Sequence, residues 1–124
     1  MNAEDLFWLA VNAYHEARGE CDEGIQGVCH VVLNRCKRRR MTIKQVVLQP
    51  WQFSWANNGK RPPISEYEAF HRCLSLAERT MEEREMGIDF GGADHYYADY
   101  IKMPSWAGDF ERVAKVGKHI FYRS

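Results

Sequence analysis

The sequence predicts an α+β fold: one mainly helical domain over residues 1–124 with a small antiparallel sheet towards the C-terminus. Three observations carry this expectation. Apolar residues recur at helical spacing through three long stretches before Gly87. After Gly91 the texture changes to short aromatic and β-branched runs, which suit a pleated sheet. Finally, 124 residues of which 45% are hydrophobic can fill one core but seldom two.

Taken in order, the first helix runs from Ala3 to Arg18, with Leu6, Leu9, Ala10, Ala13 and Ala17 on one face behind a polar start at Asn2, and stops at Gly19. Asp22 offers an N-cap for a second helix, Glu23 to Arg38, whose apolar stripe is Ile25, Val28, Cys29, Val32, Leu33 and Cys36. Thr42 caps a short helix over Ile43 to Leu48, and Pro50 ends it. Trp51, Phe53 and Trp55 then alternate with Gln52 and Ser54, the period-two pattern of extended chain, before a loop from Asn57 to Pro63. Ser65 with Glu68 reads as a capping box for a third long helix, Glu66 to Glu85, closed by Gly87. His95 to Ala98 and Val113 to Tyr122, the latter broken by Gly117, supply the strands.

Charge narrows the function classes. Seventeen basic and seventeen acidic residues leave no global field to draw the chain onto nucleic acid or an anionic membrane. No apolar run reaches the roughly 18 residues of a membrane span. Met1 to Ala17 lacks the basic flank and unbroken apolar core of an export signal, so synthesis in the cytoplasm without a signal peptide is expected. Cys21, Cys29, Cys36 and Cys73 show no CxxC spacing and read as small apolar fillers, with no metal site. The basic cluster Arg35 to Arg40 suits a helix C-terminus by itself. It also supports an alternative of another class, a nucleic-acid-binding module whose first two helices imitate a helix-turn-helix.

One carboxylate stands out. At about 100° per residue, Glu16 falls about 20° from Leu9 and about 60° from Ala13, on the apolar stripe of its own helix. Burial and the negative end of the helix dipole both disfavour its ionised form, which suits a general acid at neutral pH. The bland reading is a structural bridge to Arg18 or Arg35.

The surrounding residues favour the first reading. The run Ala13-Tyr14-His15-Glu16-Ala17-Arg18-Gly19-Glu20 is followed by Gly24, Gly27, Val31-Val32-Leu33-Asn34-Arg35 and Gln52-Phe53-Ser54-Trp55. Gly92-Ala93-Asp94-His95-Tyr96-Tyr97-Ala98, Pro104-Ser105-Trp106-Ala107 and Gly117-Lys118-His119-Ile120-Phe121-Tyr122-Arg123 close the series. Together they resemble the SleB/CwlJ family of cell wall hydrolases over nearly the whole chain. The resemblance implies a lysozyme-related domain that cuts peptidoglycan glycan strands between N-acetylmuramic acid and N-acetylglucosamine. It further implies lytic transglycosylation, which leaves a 1,6-anhydro-muramic end, with Glu16 as acid and then base. True muramidase hydrolysis or amidase action on the same polymer are the alternatives.

No cofactor is implied, and the expected partner is the glycan strand, met by a monomer without nucleic acid or membrane insertion. Sugar rings present apolar faces to aromatic side chains, so Gln52, Ser54, Trp55, Asp94, His95, Tyr96, Tyr97 and Trp106 are the candidate substrate-binding residues. Tyr96 and Tyr97 are adjacent, so only one of them can face the cleft from a strand. Asp94 replaces the threonine of the family pattern and is either a site residue or a turn residue. Glu20, Asn34, Arg35 and His119 are candidate supporting residues; Glu20 is either a turn anchor or the second carboxylate of a hydrolase. A bare catalytic domain of this kind fits a phage or prophage endolysin, reaching the wall or periplasmic peptidoglycan after holin or lysis release.

Overall fold

The computed structural model describes residues 2–49, 55 and 62–124. Among these, helices α1 (Ala3–Ala17), α2 (Asp22–Arg39), α3 (Ile43–Leu48) and α4 (Tyr67–Glu85) precede strands β1 (His95–Ala98), β2 (Glu111–Val116) and β3 (His119–Arg123). The mainly helical α+β architecture with a C-terminal sheet is therefore as the sequence predicts. Of the segment read as extended, Trp51 to Ser54 fall outside the described residues, and Trp55 stands in a 3-10 turn rather than extended chain. No described helix is long and apolar enough to cross a membrane.

Helix starts differ from expectation where tertiary contacts take over the capping. Asn2 caps α1, its Oδ1 accepting from the Asp5 amide at 2.9 Å, and Thr42 with Gln45 forms a full capping box on α3. Asp22, by contrast, lies inside α2, and Cys21 stands at the N-cap position without a side-chain bond. The Asp22 carboxylate instead accepts from Arg72 Nε and Nη2 at 2.9 and 2.6 Å. The expected Ser65 box on α4 is also absent, with Glu66 at the cap position. Its work is done by Tyr14 of α1, whose hydroxyl accepts from the Ser65 and Glu66 amides at 3.3 and 3.0 Å. A fully buried tyrosine needs a partner for its hydroxyl, and the open amides of a helix start supply one.

The core forms where α1 packs against α2, α3 and α4. Leu9, Ala13, Ile25, Val28, Val32, Val46, Val47 and Ala77 are fully enclosed there, with Cys29 and Cys73 filling small gaps. All four cysteines are free thiols. The sheet has the order β1-β3-β2, all antiparallel. Gly117, at φ +57°, makes the tight turn between β2 and β3. Because paired residues share a face, the pairs Tyr96 with Phe121 and Ala98 with His119 lie on the helix side of the sheet. The pairs His95 with Tyr122 and Tyr97 with Ile120 lie on the other. Phe121 seats the sheet on α2 directly over Gly27, where an added Cβ would stand 2.7 Å from the ring.

Candidate active site

Glu16 sits one residue before the end of α1, half-buried, where Tyr96 Oη of β1 donates to its Oε1 at 2.7 Å. Burial raises the Glu16 pKa above the ordinary carboxylate range. The Tyr96 hydrogen bond and the positive potential of His119 and Arg35 pull it down, but burial prevails. Burial, and then the charge of Glu16, push the Tyr96 phenol well up, so it stays a donor. Of the two cations considered as structural partners, Arg18 Nε donates to Glu66 at 2.5 Å, while Arg35 Nε donates to the Asp94 carbonyl at 2.8 Å and acts on Glu16 through its charge.

Beside Glu16 opens a cleft of about 260 Å³, with the end of α1 and the following turn, residues 15–20, on one side. Tyr100, Lys118 and His119 line the other. Glu20 is in this cleft, and its Oε2 accepts from the Lys118 amide at 3.0 Å and lies 3.4 Å from His119 Nδ1. The fit is close. A Cβ on Gly117 would stand 2.1 Å from Glu20 Oε2, and one on Gly24 would stand 3.2 Å away, so two glycines enclose this carboxylate. Arg72 Nη2 fixes the same turn by donating to the Glu20 carbonyl at 3.0 Å. At the edge of the cleft His15 stacks on Trp55 with ring centres 4.7 Å apart, and Trp55 Nε1 donates to buried Asn12 at 2.9 Å. Burial, then Arg18, hold the His15 pKa below its ordinary value.

The remaining sequence candidates do not converge on Glu16. Strand alternation sends Tyr96 to the carboxylate and carries His95 and Tyr97 to the opposite face, where Trp106 packs 5.1 and 5.9 Å from them. Tyr122 and Phe110 complete that outer cluster. Asp94 is buried and both of its oxygens have protein partners. Oδ1 meets His95 Nδ1 at 3.0 Å and the Ser124 amide at 2.9 Å, while Oδ2 accepts from the Ser124 hydroxyl at 2.6 Å and from Arg38. Burial alone would raise its pKa, but the bonds from His95 and Ser124 outweigh it and bring it down to about 2.

Asn34 Nδ2 donates to the carbonyls of Asp89 and Ala93 at 3.0 and 2.7 Å. With Arg35 it ties α2 to the segment that leads into β1. Gln52 and Ser54 lie outside the described residues. The basic run is divided: Arg35 is buried, Arg38 pairs with Asp94, and Arg39 donates to Gln49.

His15, Tyr100 and Lys118 are cleft residues that sequence reasoning missed. Only His15 carried a signal, its place beside Glu16. Tyr100 and Lys118 meet because the Asp99 amide donates to the Lys118 carbonyl at 2.8 Å, a contact without local sequence signature. No group of three or more potential metal ligands occurs among the described residues.

Comparison with known proteins agrees with this architecture. The chain is 24% identical to the catalytic domain of the germination-specific lytic transglycosylase SleB from Bacillus anthracis, covering 99% of this chain and 97% of that one with a TM-score of 0.78. The SleB catalytic domain of Bacillus cereus is also 24% identical, at coverages of 99% and 93% and a TM-score of 0.75. Both likenesses are of fold. A spore cortex-lytic enzyme of Halalkalibacterium halodurans is 26% identical over 120 residues, 94% of this chain but 34% of the relative, so the chain spans about a third of that protein's length. The family model described as Cell Wall Hydrolase matches residues 19–122, with Glu16 just ahead of the matched span. The chain belongs to the cell wall hydrolase family.

Proposed function

We propose that residues 1–124 act as one catalytic unit that cleaves peptidoglycan glycan strands between N-acetylmuramic acid and N-acetylglucosamine by lytic transglycosylation. The observation that carries this reading is Glu16, a carboxyl group whose pKa burial raises, placed at the edge of a polar cleft and held by Tyr96. Glu16 donates its proton to the bridging oxygen as the C1–O bond breaks, and the N-acetylglucosamine 4-hydroxyl leaves. The muramoyl C6 hydroxyl then attacks C1 and closes the 1,6-anhydro ring. Its proton can pass to the spent Glu16 carboxylate, which is how a single acid serves both steps.

Two-carboxylate hydrolysis requires a second group free to activate water or attack the sugar. Glu20, the other carboxylate lining the cleft, has its Oε2 engaged by the Lys118 amide, which supports the intramolecular route. The site of action is the cell wall, with release through a holin or lysis as the delivery route for an endolysin.

The test is digestion of purified sacculi followed by mass spectrometry of the soluble fragments. Anhydro-muropeptides are expected; reducing muramic ends would indicate hydrolysis, and free stem peptides an amidase. Glu16→Gln keeps the shape and removes the proton, so release should fall by about two orders of magnitude or more with the fold intact. A normal rate in that variant would overturn the role of Glu16.

A further inference from the structure

The wall of the cleft opposite Glu16 carries two side chains that the scheme above leaves unused. Tyr100 and Lys118 both line it and both are exposed, Tyr100 to 77%. Their backbones are fixed. The Lys118 amide donates to Glu20 Oε2 and the Lys118 carbonyl accepts from the Asp99 amide at 2.8 Å, while the Ile101 amide closes a turn on the Ala98 carbonyl at 3.1 Å with Tyr100 inside it. Lys115 Nζ lies 3.2 Å from Asp99 Oδ2 and ties the same turn to β2. The side chains themselves are uncommitted among the described residues: the Lys118 ammonium group has no ion pair, and the Tyr100 ring stacks on no other ring. Arg18, also at the cleft, is by contrast engaged by Glu66 and by the Tyr14 ring, whose centre lies 4.5 Å from its guanidinium carbon.

What such a wall would meet follows from the polymer. Both sugars of the strand carry the same C6 hydroxyl, so the chemistry of ring closure does not by itself choose between the two linkages. They differ at O3, where the muramic sugar alone bears a lactyl group, ending in a carboxylate or extended by an acidic stem peptide. A site that selects one bond must therefore tell the sugars apart by that group. We infer that Tyr100 and Lys118 do so: the Tyr100 ring packs on the apolar face of a sugar, and the Lys118 ammonium group pairs with the carboxylate carried at O3 of the muramic residue. This rests on the reading of the cleft as the glycan site and adds a preference to it, for muramic residues with an anionic O3 substituent over neutral ones such as the internal lactam. The cleft is small, about 260 Å³, so a sugar placed against Glu16 is within reach of both side chains. Lysine suits the task, because a point charge on a flexible four-carbon stem can follow a carboxylate whose position shifts with the length of the peptide. The fixed backbones beneath the two side chains keep the ordering cost of binding low.

The experiment measures kcat and apparent KM for release of soluble fragments from three substrates: intact sacculi, sacculi whose carboxylates have been converted to amides with carbodiimide and ammonia, and amidase-stripped strands that keep only the lactyl carboxylate. Lys118→Gln and Tyr100→Ala alter exposed side chains and keep the backbone bonds to Glu20 and Asp99, so their thermal unfolding should match the parent. On intact sacculi the KM of Lys118→Gln should rise about threefold to fivefold and that of Lys118→Glu about tenfold, the loss falling on KM rather than kcat, and Lys118→Arg should restore binding. On amidated sacculi the parent and Lys118→Gln should coincide, since the partner charge is gone. Tyr100→Ala should raise KM about threefold to tenfold on all three substrates, and Tyr100→Phe, which keeps the ring, should not. Parental KM in Lys118→Glu or in Tyr100→Ala, or a Lys118→Gln defect of equal size on amidated sacculi, overturns the proposal. The stripped strands locate the charge: a Lys118→Gln defect that persists there assigns it to the lactyl carboxylate, and one that vanishes assigns it to the stem peptide. Each comparison is of KM against the parent, whatever ends the fragments bear, so failure here is distinct from failure of the transglycosylation reading, which Glu16→Gln and the mass of the fragments decide.

Discussion

Glu16, half-buried, and Asp94, buried, are two carboxylates whose environments drive them in opposite directions. Burial dominates at Glu16 and favours the neutral acid, whereas at Asp94 the bonds from His95 and Ser124 favour the anion. A carboxylate whose folded pKa lies below its unfolded value stabilises the protein above the unfolded pKa, and that contribution disappears as pH falls through the folded one. For Asp94 the window runs from 3.8 down to about 2. Asp94→Asn should therefore cost about 2 kcal/mol at neutral pH, with the difference from the parent shrinking as urea unfolding is repeated towards pH 2. The direction of Glu16 was legible in the sequence, because a carboxylate on an apolar stripe announces its burial. Asp94 was not legible, because its partners Arg38 and Ser124 come from the far ends of the chain's second helix and last strand.

Among elements, the helices were legible from their 3.6-residue period, but the start of α4 was not. Its open amides are met by Tyr14, 51 and 52 residues earlier in the chain, and no local pattern such as Ser65 with Glu68 can report a cap delivered from another helix. Tyr14→Phe removes the acceptor and leaves two amides in a partly buried place, so stability should drop by about 1–3 kcal/mol, read by denaturant unfolding. Because the same hydroxyl couples α1 to α4, hydrogen exchange in that variant should quicken first in the opening turn of α4. The strands were legible in type, and the period of two showed that Tyr96 and Tyr97 must face opposite ways. Which of them meets Glu16 depends on how the sheet seats on α2, and that is set by tertiary packing.

At the scale of the whole molecule, the site is a seam between a helical half that supplies Glu16 and Glu20 and a sheet that supplies Tyr96, Lys118 and His119. The seam is held by Phe121 lying over Gly27. Gly27→Ala forces a methyl group into that ring, which should destabilise the fold by about 1–3 kcal/mol. Because the sheet must shift to accommodate it, turnover on sacculi should fall as well, although residue 27 lies outside the cleft. The same seam explains why the site was only half readable: the motif around Glu16 is contiguous, whereas its opposite wall is assembled by contacts across most of the chain.

Tyr96 reaches Glu16 across 80 residues, and the Lys118 amide reaches Glu20 across 98. The acid is therefore synthesised well before the groups that complete its setting. Prematurely terminated or clipped products would carry the motif without its counterpart. Within this chain the acid motif has its full setting only once β1 and β3 are in place.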